Sequence, residues 1–259
     1  RVTAGKRPII AGLTLEVIER LKKRSAVTET DDHVNAPYLL NTEELKMELD
    51  ELVVENKIKP FLHTLCVAPV LEDGLLGGVI VENKNGRQAV LARQFVDATG
   101  DGALALGLGL TRHKPDTLQP PTTCAKIQGL GTLGSFNWQA AVREHGHEFG
   151  LAKDWGWGVP IPGLPDMQLR ADSHVFGADT SDAEQLTSAE LEGRRQVRAV
   201  MDVIRRYGPP GAAIALAGLA ATIGTRETRR FVAQYCMTGD DVLSGRRFED
   251  AIANGSYRV

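Results

Sequence analysis

An α/β fold is predicted for this chain by three observations. Apolar residues at helical spacing near the start give way to short β-prone runs. Two of those runs flank an Asn-Gly pair, a hairpin signal. A further run, Phe95-Val96-Asp97-Ala98-Thr99-Gly100-Asp101-Gly102, stops at small residues and leads into the apolar, helix-compatible stretch Ala103–Leu108. Small residues at a strand end let backbone N–H groups come close to a ligand, and glycine permits that approach at no steric cost. Nucleotides sit at the carboxyl ends of strands in open α/β sheets, so the stretch reads as one half of a nucleotide site.

The elements follow in order. Leu13, Val17, Ile18 and Leu21 share one face of a helix over residues 13–25. Asn41, with Glu44 three residues on, is an N-cap signal for a helix over 42–56 that carries Leu45, Leu49, Leu52 and Val53. Its polar residues Glu43, Lys46, Glu48 and Asp50 read as a solvated face. Residues 61–71 read as a strand that contains His63 packed against its surroundings, with Pro69 marking an edge or a bend. Gly78–Glu82 and Gln88–Ala92 form the hairpin around Asn85-Gly86, and a strand over 94–99 enters the Ala-Thr-Gly turn. A plain βαβ repeat would not place an antiparallel hairpin there.

Residues 109–178 hold Pro, Gly and Trp clusters such as Trp155-Gly156-Trp157-Gly158-Val159-Pro160, and no regular structure is assigned to them. A substrate-facing lid and a long connection are both open readings. A helix follows over 188–206, with Thr187 and Glu190 as its capping box and Leu191, Val197, Met201 and Ile204 as its apolar face. Gly208-Pro209-Pro210-Gly211 ends it. The Ala-rich run 213–223 leads into Gly224-Thr225-Arg226-Glu227-Thr228-Arg229-Arg230, and Thr238 with Asp241 starts a last helical region.

Composition sets the class. The 259 residues suffice for one large domain or two modest ones, and 42% hydrophobic with 24% charged residues is the balance of an ordinary soluble protein. A net charge of -3 gives no general attraction to nucleic acid or an anionic membrane. No apolar run reaches the ~18 residues of a membrane span. Cys66, Cys124 and Cys236 are odd in number and form no CxxC pattern. They read as reduced, mostly buried thiols of a cytoplasmic protein. The chain starts at Arg1 without a methionine or a signal-peptide pattern and stops at Val259, so it is expected to be the middle of a longer polypeptide.

Five stretches, in this order, resemble the FAD-dependent oxidoreductase family of the glutathione-reductase-like flavoprotein fold. They are Gly78–Arg87, Val96–Gly102, Leu186–Gln196, Ile223–Arg230, and Asp241-Val242-Leu243 with Gly245-Arg246-Arg247-Phe248. The match covers most of 8–102 and 179–259 and is weaker over 103–178. The resemblance implies a three-layer FAD/NAD(P)-binding fold, partly present here, with an inserted β-rich α+β substrate domain. On that reading residues 1–108 belong to the FAD-binding domain, 109–235 to the substrate or cap domain, and 236–259 return toward the FAD-binding domain. It also implies that Ala98, Thr99 and Gly100 pack along FAD and that the backbone of Val67 meets the adenine edge. The sequence departs from the family where Ala103 replaces an acidic residue that often follows the Gly-Asp-Gly turn. The N-terminal GxGxxG βαβ unit and the C-terminal Gly-rich segment do not appear in their places. Without that helix N-terminus to counter the pyrophosphate charge, the chain alone is expected to bind FAD poorly or not at all.

Other signals carry competing readings. Gly129, Gly131 and Gly134 match GxGxxG, but no second strand ending in an acidic residue follows, so a glycine-rich turn beside the active site is preferred to a dinucleotide fingerprint. Arg226 is the residue of the 224–230 segment expected to face the site, where it would bind a carboxylate or phosphate or stabilise charge on reduced flavin. An Arg–Glu network tying two domains together is the other reading. Asp101 either accepts from a ribitol or ribose hydroxyl or caps the helix at Gly102–Ala103. His145 and His147 read as solvated rather than metal-binding, and no metal site is expected. GxSxG, HExxH and Walker A motifs are absent from the sequence.

The expected function is FAD-dependent hydride transfer with a small organic substrate, seen in a truncated chain. A catalytically inactive flavoprotein remnant acting as a binding module and a nicotinamide-dependent dehydrogenase are the alternatives. A small-molecule substrate is the expected partner, without nucleic acid or membrane, and a homo-oligomer stays open.

Overall fold

The computed structural model describes residues 11–30, 38–153, 156–253 and 255. They form a mixed α/β chain whose paired strands are all antiparallel. The first helix, α1 (Leu13–Lys23), buries Ile18 and Leu21, as its spacing predicts. Strands β1 (Val27–Glu29) and β2 (Tyr38–Leu40) pair and lead to α2 (Thr42–Glu55). Asn41 caps α2 by accepting from Glu43 N at 3.0 Å, and its Nδ2 donates to the Pro162 carbonyl at 3.0 Å.

On the polar face of α2, Glu43, Lys46 and Asp50 are exposed as expected, and Glu48 is the exception. Glu48 is buried and accepts from Arg24 Nε at 3.1 Å, while Leu49 on the apolar stripe remains 46% exposed. The cause lies on α1, which presents Arg20 and Arg24. Arg20 reaches Glu55 at 2.6 Å and Arg24 reaches Glu48, so charge complementarity ties α2 to α1 and draws Glu48 inward.

Strands β3 (Leu65–Glu72), β4 (Leu75–Asn83) and β5 (Gly86–Leu91) form a meander in that order. The expected hairpin closes with Asn83 opposite Gly86. A second hairpin joins β3 to β4 through Asp73 and Gly74, both at positive φ (50° and 79°). An Asp-Gly pair between apolar runs signals such a turn from sequence. Pro69 lies on the edge strand, where a missing N–H removes no central ladder bond. His63 is not in a strand: it sits exposed in the preceding turn at φ 52°.

The strand expected over 94–99 does not form; these residues pair with no neighbouring strand, and Val96 is 89% exposed. A strand needs a partner to bond its backbone, and none of the described residues supplies one. Beyond the turn, α3 (Ala103–Gly107) packs on β3. A Cβ on Gly107 would collide with the Pro69 ring, which explains the close fit.

Residues 109–178 are more regular than the sequence suggests. They contain β6 (Arg112–His113), β7 (Ala125–Gln128), α4 (Trp138–His145), β8 (Trp157–Pro160) and β9 (Met167–Ala171). The next helix, α5 (Ala183–Tyr207), is followed by β10 (Ala215–Leu219) and β11 (Arg230–Phe231). Strands β10-β7-β9-β8 make one sheet, and β11 pairs with β6. Helix α5 buries Val197, Val200, Met201 and Ile204 against Ala125 and Ile127 of that sheet. It starts earlier than expected because Asp182, not Thr187, is the cap, accepting from Gln185 N at 2.9 Å. Thr187 instead bonds back to the Ala183 carbonyl, and Glu190 accepts from Ile223 N at 2.6 Å. The last helix, α6 (Gly239–Ser244), starts at Thr238 as expected, and Thr238 and Asp241 form a capping box there.

The thiols are less buried than expected: Cys66 and Cys124 are half-buried and Cys236 is exposed. Among the described residues, no helix is long and apolar enough to cross a membrane.

Candidate functional site

The Ala-Thr-Gly turn is built by a carboxylate the sequence reading did not single out. Asp97 Oδ1 accepts from Thr99 N at 3.1 Å and from Thr99 Oγ1 at 2.7 Å. Asp97 Oδ2 accepts from Leu104 N at 3.0 Å and Ala105 N at 3.1 Å, and Thr99 Oγ1 accepts from Ala103 N at 2.9 Å. The first N–H groups of α3, which have no partner inside the helix, are thereby satisfied. Burial pushes the Asp97 carboxyl up, but the bonds from Thr99, Ala105 and Leu104 outweigh it and hold the group below the usual carboxylate range. Capping of α3 therefore falls to Asp97 and Thr99 rather than to Asp101.

Gly100 has φ +84°, and the space where a side chain would project is open. The position thus combines a backbone that favours glycine with room for another molecule to approach. Gly102, at φ +62°, serves packing instead: a Cβ there would collide with the Phe231 ring. Ala98, Thr99 and Gly100 are all exposed. Val67 is 43% exposed and falls in the register shift between Cys66 and Ala68 on edge strand β3. A bulge there takes the extra residue out of regular pairing, which suits a backbone offered to a ligand.

The turn is fastened to a distant segment. Thr228 Oγ1 donates to Asp101 Oδ1 at 2.8 Å, and Thr228 is only 4% exposed. Residues 111–122 and 224–232 run antiparallel beside each other. Val232 N donates to the Thr111 carbonyl at 2.8 Å, while Thr122 and Gly224 exchange two backbone bonds of 3.1 and 2.8 Å. Arg226 lies on this ribbon, between the Gly224 contact with Thr122 and the Thr228 contact with Asp101. The structure therefore brings Arg226 and Asp101 into one region, through residues that lie far apart in sequence.

The 224–230 segment is not a continuous strand; only Arg230 enters β11. Arg230 pairs with Glu227, and Glu227 Oε2 also accepts from Gln119 N at 3.3 Å. These contacts, the Arg230 guanidinium foremost, hold the Glu227 carboxyl below its ordinary range. Arg226 stays outside that ion pair: its Nη2 donates to the Gln119 amide oxygen at 3.2 Å. Arg230 and Glu227 thus form an ion pair within one segment, and Arg226 is not part of it. Gln119 and Thr228 are site residues that sequence reasoning missed, because each acts through a contact more than a hundred positions away. Asp97 had a local signal, an acidic side chain two residues before a threonine at a helix entry.

The glycines of 129–134 have structural work. Gly129 is at φ +86°, and a Cβ there would strike the Ala213 carbonyl. Gly131 N donates to Asp166 Oδ1 at 2.8 Å. Strand β7, which precedes them, is antiparallel to both neighbours, so no βαβ unit surrounds the turn. Among the described residues no three His, Cys, Asp or Glu side chains are grouped to hold a metal ion. His145 is more than a solvated residue: it stacks on Tyr207 with ring centroids 3.8 Å apart, and its Nδ1 lies 2.8 Å from Glu148 Oε1.

For a dinucleotide such as FAD, the residues present fit one flank. Gly100 leaves open the space where a side chain would project, Ala98 and Thr99 are exposed, and Val67 lies in an irregular stretch of β3, the strand on which α3 packs. The Thr99 hydroxyl spends its one donor on Asp97 and accepts from Ala103 N, so it has no proton left to donate to a ligand. Asp101 has Oδ1 committed to Thr228.

A family model described as FAD dependent oxidoreductase matches residues 2–259. No curated protein and no solved structure matches the chain. With that match across almost the whole length, the chain belongs to the FAD dependent oxidoreductase family, whose cofactor is FAD.

Proposed function

We propose that this chain is part of a flavoenzyme that transfers a hydride between a small organic substrate and FAD. The observation that carries the reading is the left-handed Gly100, open on its side-chain face, in a turn tied through Asp101 and Thr228 to the segment that bears Arg226. Flavin, when bound, supplies the hydride acceptor or donor at its ring nitrogen. The protein's own residues position and charge the site. The backbone of Ala98, Thr99 and Gly100 lies along the nucleotide, Val67 offers its backbone to the adenine edge, and Arg226 places a positive charge near the reacting region. Asp97 acts one step removed, by holding the turn in shape.

The same reading takes the three-layer FAD-binding fold as the frame, with residues 109–235 inserted as the substrate unit in a cytoplasmic enzyme. The sheet β10-β7-β9-β8 under α5 supports a separate β-rich unit.

The test is an absorbance spectrum from 350 to 500 nm of the protein in its longest natural form. Flavin bands near ~450 nm are expected. A spectrum that stays flat after FAD is added would favour a non-catalytic binding module. Gly100→Val in the same protein is expected to abolish the bands, because its side chain enters the space open to the nucleotide. Unchanged flavin content in that variant would refute the placement.

A further inference from the structure

Arg226 differs from its neighbours in how its charge is used. Arg230 is paired with Glu227, and Arg229 is half-buried. Arg226 is exposed, and its hydrogen bond goes to a neutral amide oxygen, that of Gln119. A guanidinium carries five N–H donors in a fork suited to two oxygens of one anion. Most of that fork is therefore unused, and its charge is not cancelled by a bonded carboxylate.

Three neighbours, Gln119, Cys124 and Asp172, define the surroundings of Arg226. Gln119 is held on its backbone side by Glu227, so its amide is presented to Arg226 from a fixed ribbon. The half-buried Cys124 thiol is pushed up by burial and by Asp172, while Arg226 acts in the opposite sense, so its field extends to the entry of β7. Asp172 would repel an anion were it free, but Arg170 holds both of its oxygens, at 2.9 and 2.6 Å. Arg226 thus keeps a charge that no bonded carboxylate cancels, on the same ribbon as Thr228, which holds the Asp101 carboxylate.

We infer that the substrate of this enzyme is a carboxylate and that Arg226 holds it, between the Ala-Thr-Gly turn and the amino end of β7. The inference rests on the flavoenzyme reading above and adds the chemical class of the substrate.

Phenylglyoxal labelling of arginines in the longest natural form, read peptide by peptide by mass spectrometry, tests it with malonate as the probe. Malonate is expected to slow labelling of Arg226 severalfold, to leave Arg229 and Arg247 unchanged, and to do so with and without saturating FAD. Chloride at matched ionic strength should not reproduce the effect. Protection no greater than that of chloride overturns the inference, as does an Arg226 that the reagent does not reach. Protection of Arg226 by FAD alone, with nothing added by malonate, also overturns it and assigns the anion to the cofactor's phosphates. Those failures leave the flavin spectrum intact, whereas failure of the flavoenzyme reading shows in the spectrum itself.

Discussion

Thr228 donates its hydroxyl to the Asp101 carboxylate at 2.8 Å across 127 residues of sequence. This bond joins the Ala-Thr-Gly turn to the ribbon that carries Arg226. Thr228→Val keeps the shape and removes the donor, leaving Asp101 Oδ1 without this partner. A loss of about 1–3 kcal/mol is expected. The check is a double-mutant cycle in urea with Asp101→Ala, where the two effects should couple rather than add. Strict additivity would show that the bond is not formed in solution.

Asp97 organises the turn through four hydrogen bonds. Asp97→Ala removes the side chain that caps α3 and is expected to cost about 1–2 kcal/mol. It should also lower flavin content, because Thr99 and Gly100 lose their anchor. A variant with normal stability and full flavin content would separate the turn from the cofactor.

Gly129 tests whether the 129–134 turn serves packing or a nucleotide. Gly129→Ala places a methyl on the Ala213 carbonyl at a position of φ +86°. Strain and overpacking together should cost about 2–4 kcal/mol in chemical denaturation. Full stability combined with a loss of nicotinamide binding would restore the dinucleotide reading.

Glu43 sets an acid limit. Its carboxyl is held down to about 2 by Lys126 first and by Lys46 second. A carboxyl depressed in the folded state stabilises fully above its unfolded value of 4.5, and the contribution is lost as pH falls toward 2. Because Glu43 is exposed, salt screens the effect and its size is modest. Melting temperatures between pH 5 and pH 2 should fall less steeply in Glu43→Gln than in the parent. Parallel curves would mean that the contacts with Lys126 and Lys46 do not persist in solution.

Sequence alone determined the features whose causes lie within a few residues. The hairpin at Asn85-Gly86, the start of α6 at Thr238, the stop of α5 at Gly208 and the edge position of Pro69 follow from local dihedral preference and local hydrogen bonding. The family stretches were legible for the same reason, as short runs of residues. Tertiary structure decided everything that depended on a remote partner. Residues 94–99 have strand-like composition but no paired neighbour. Glu48 looks solvated on its own helix and is buried because Arg24 lies across from it. Asp101 carries no mark of Thr228, nor Arg226 of Gln119. A side chain's chemistry is written at its own position, whereas the burial and charge it meets are set by chain segments that only folding brings beside it.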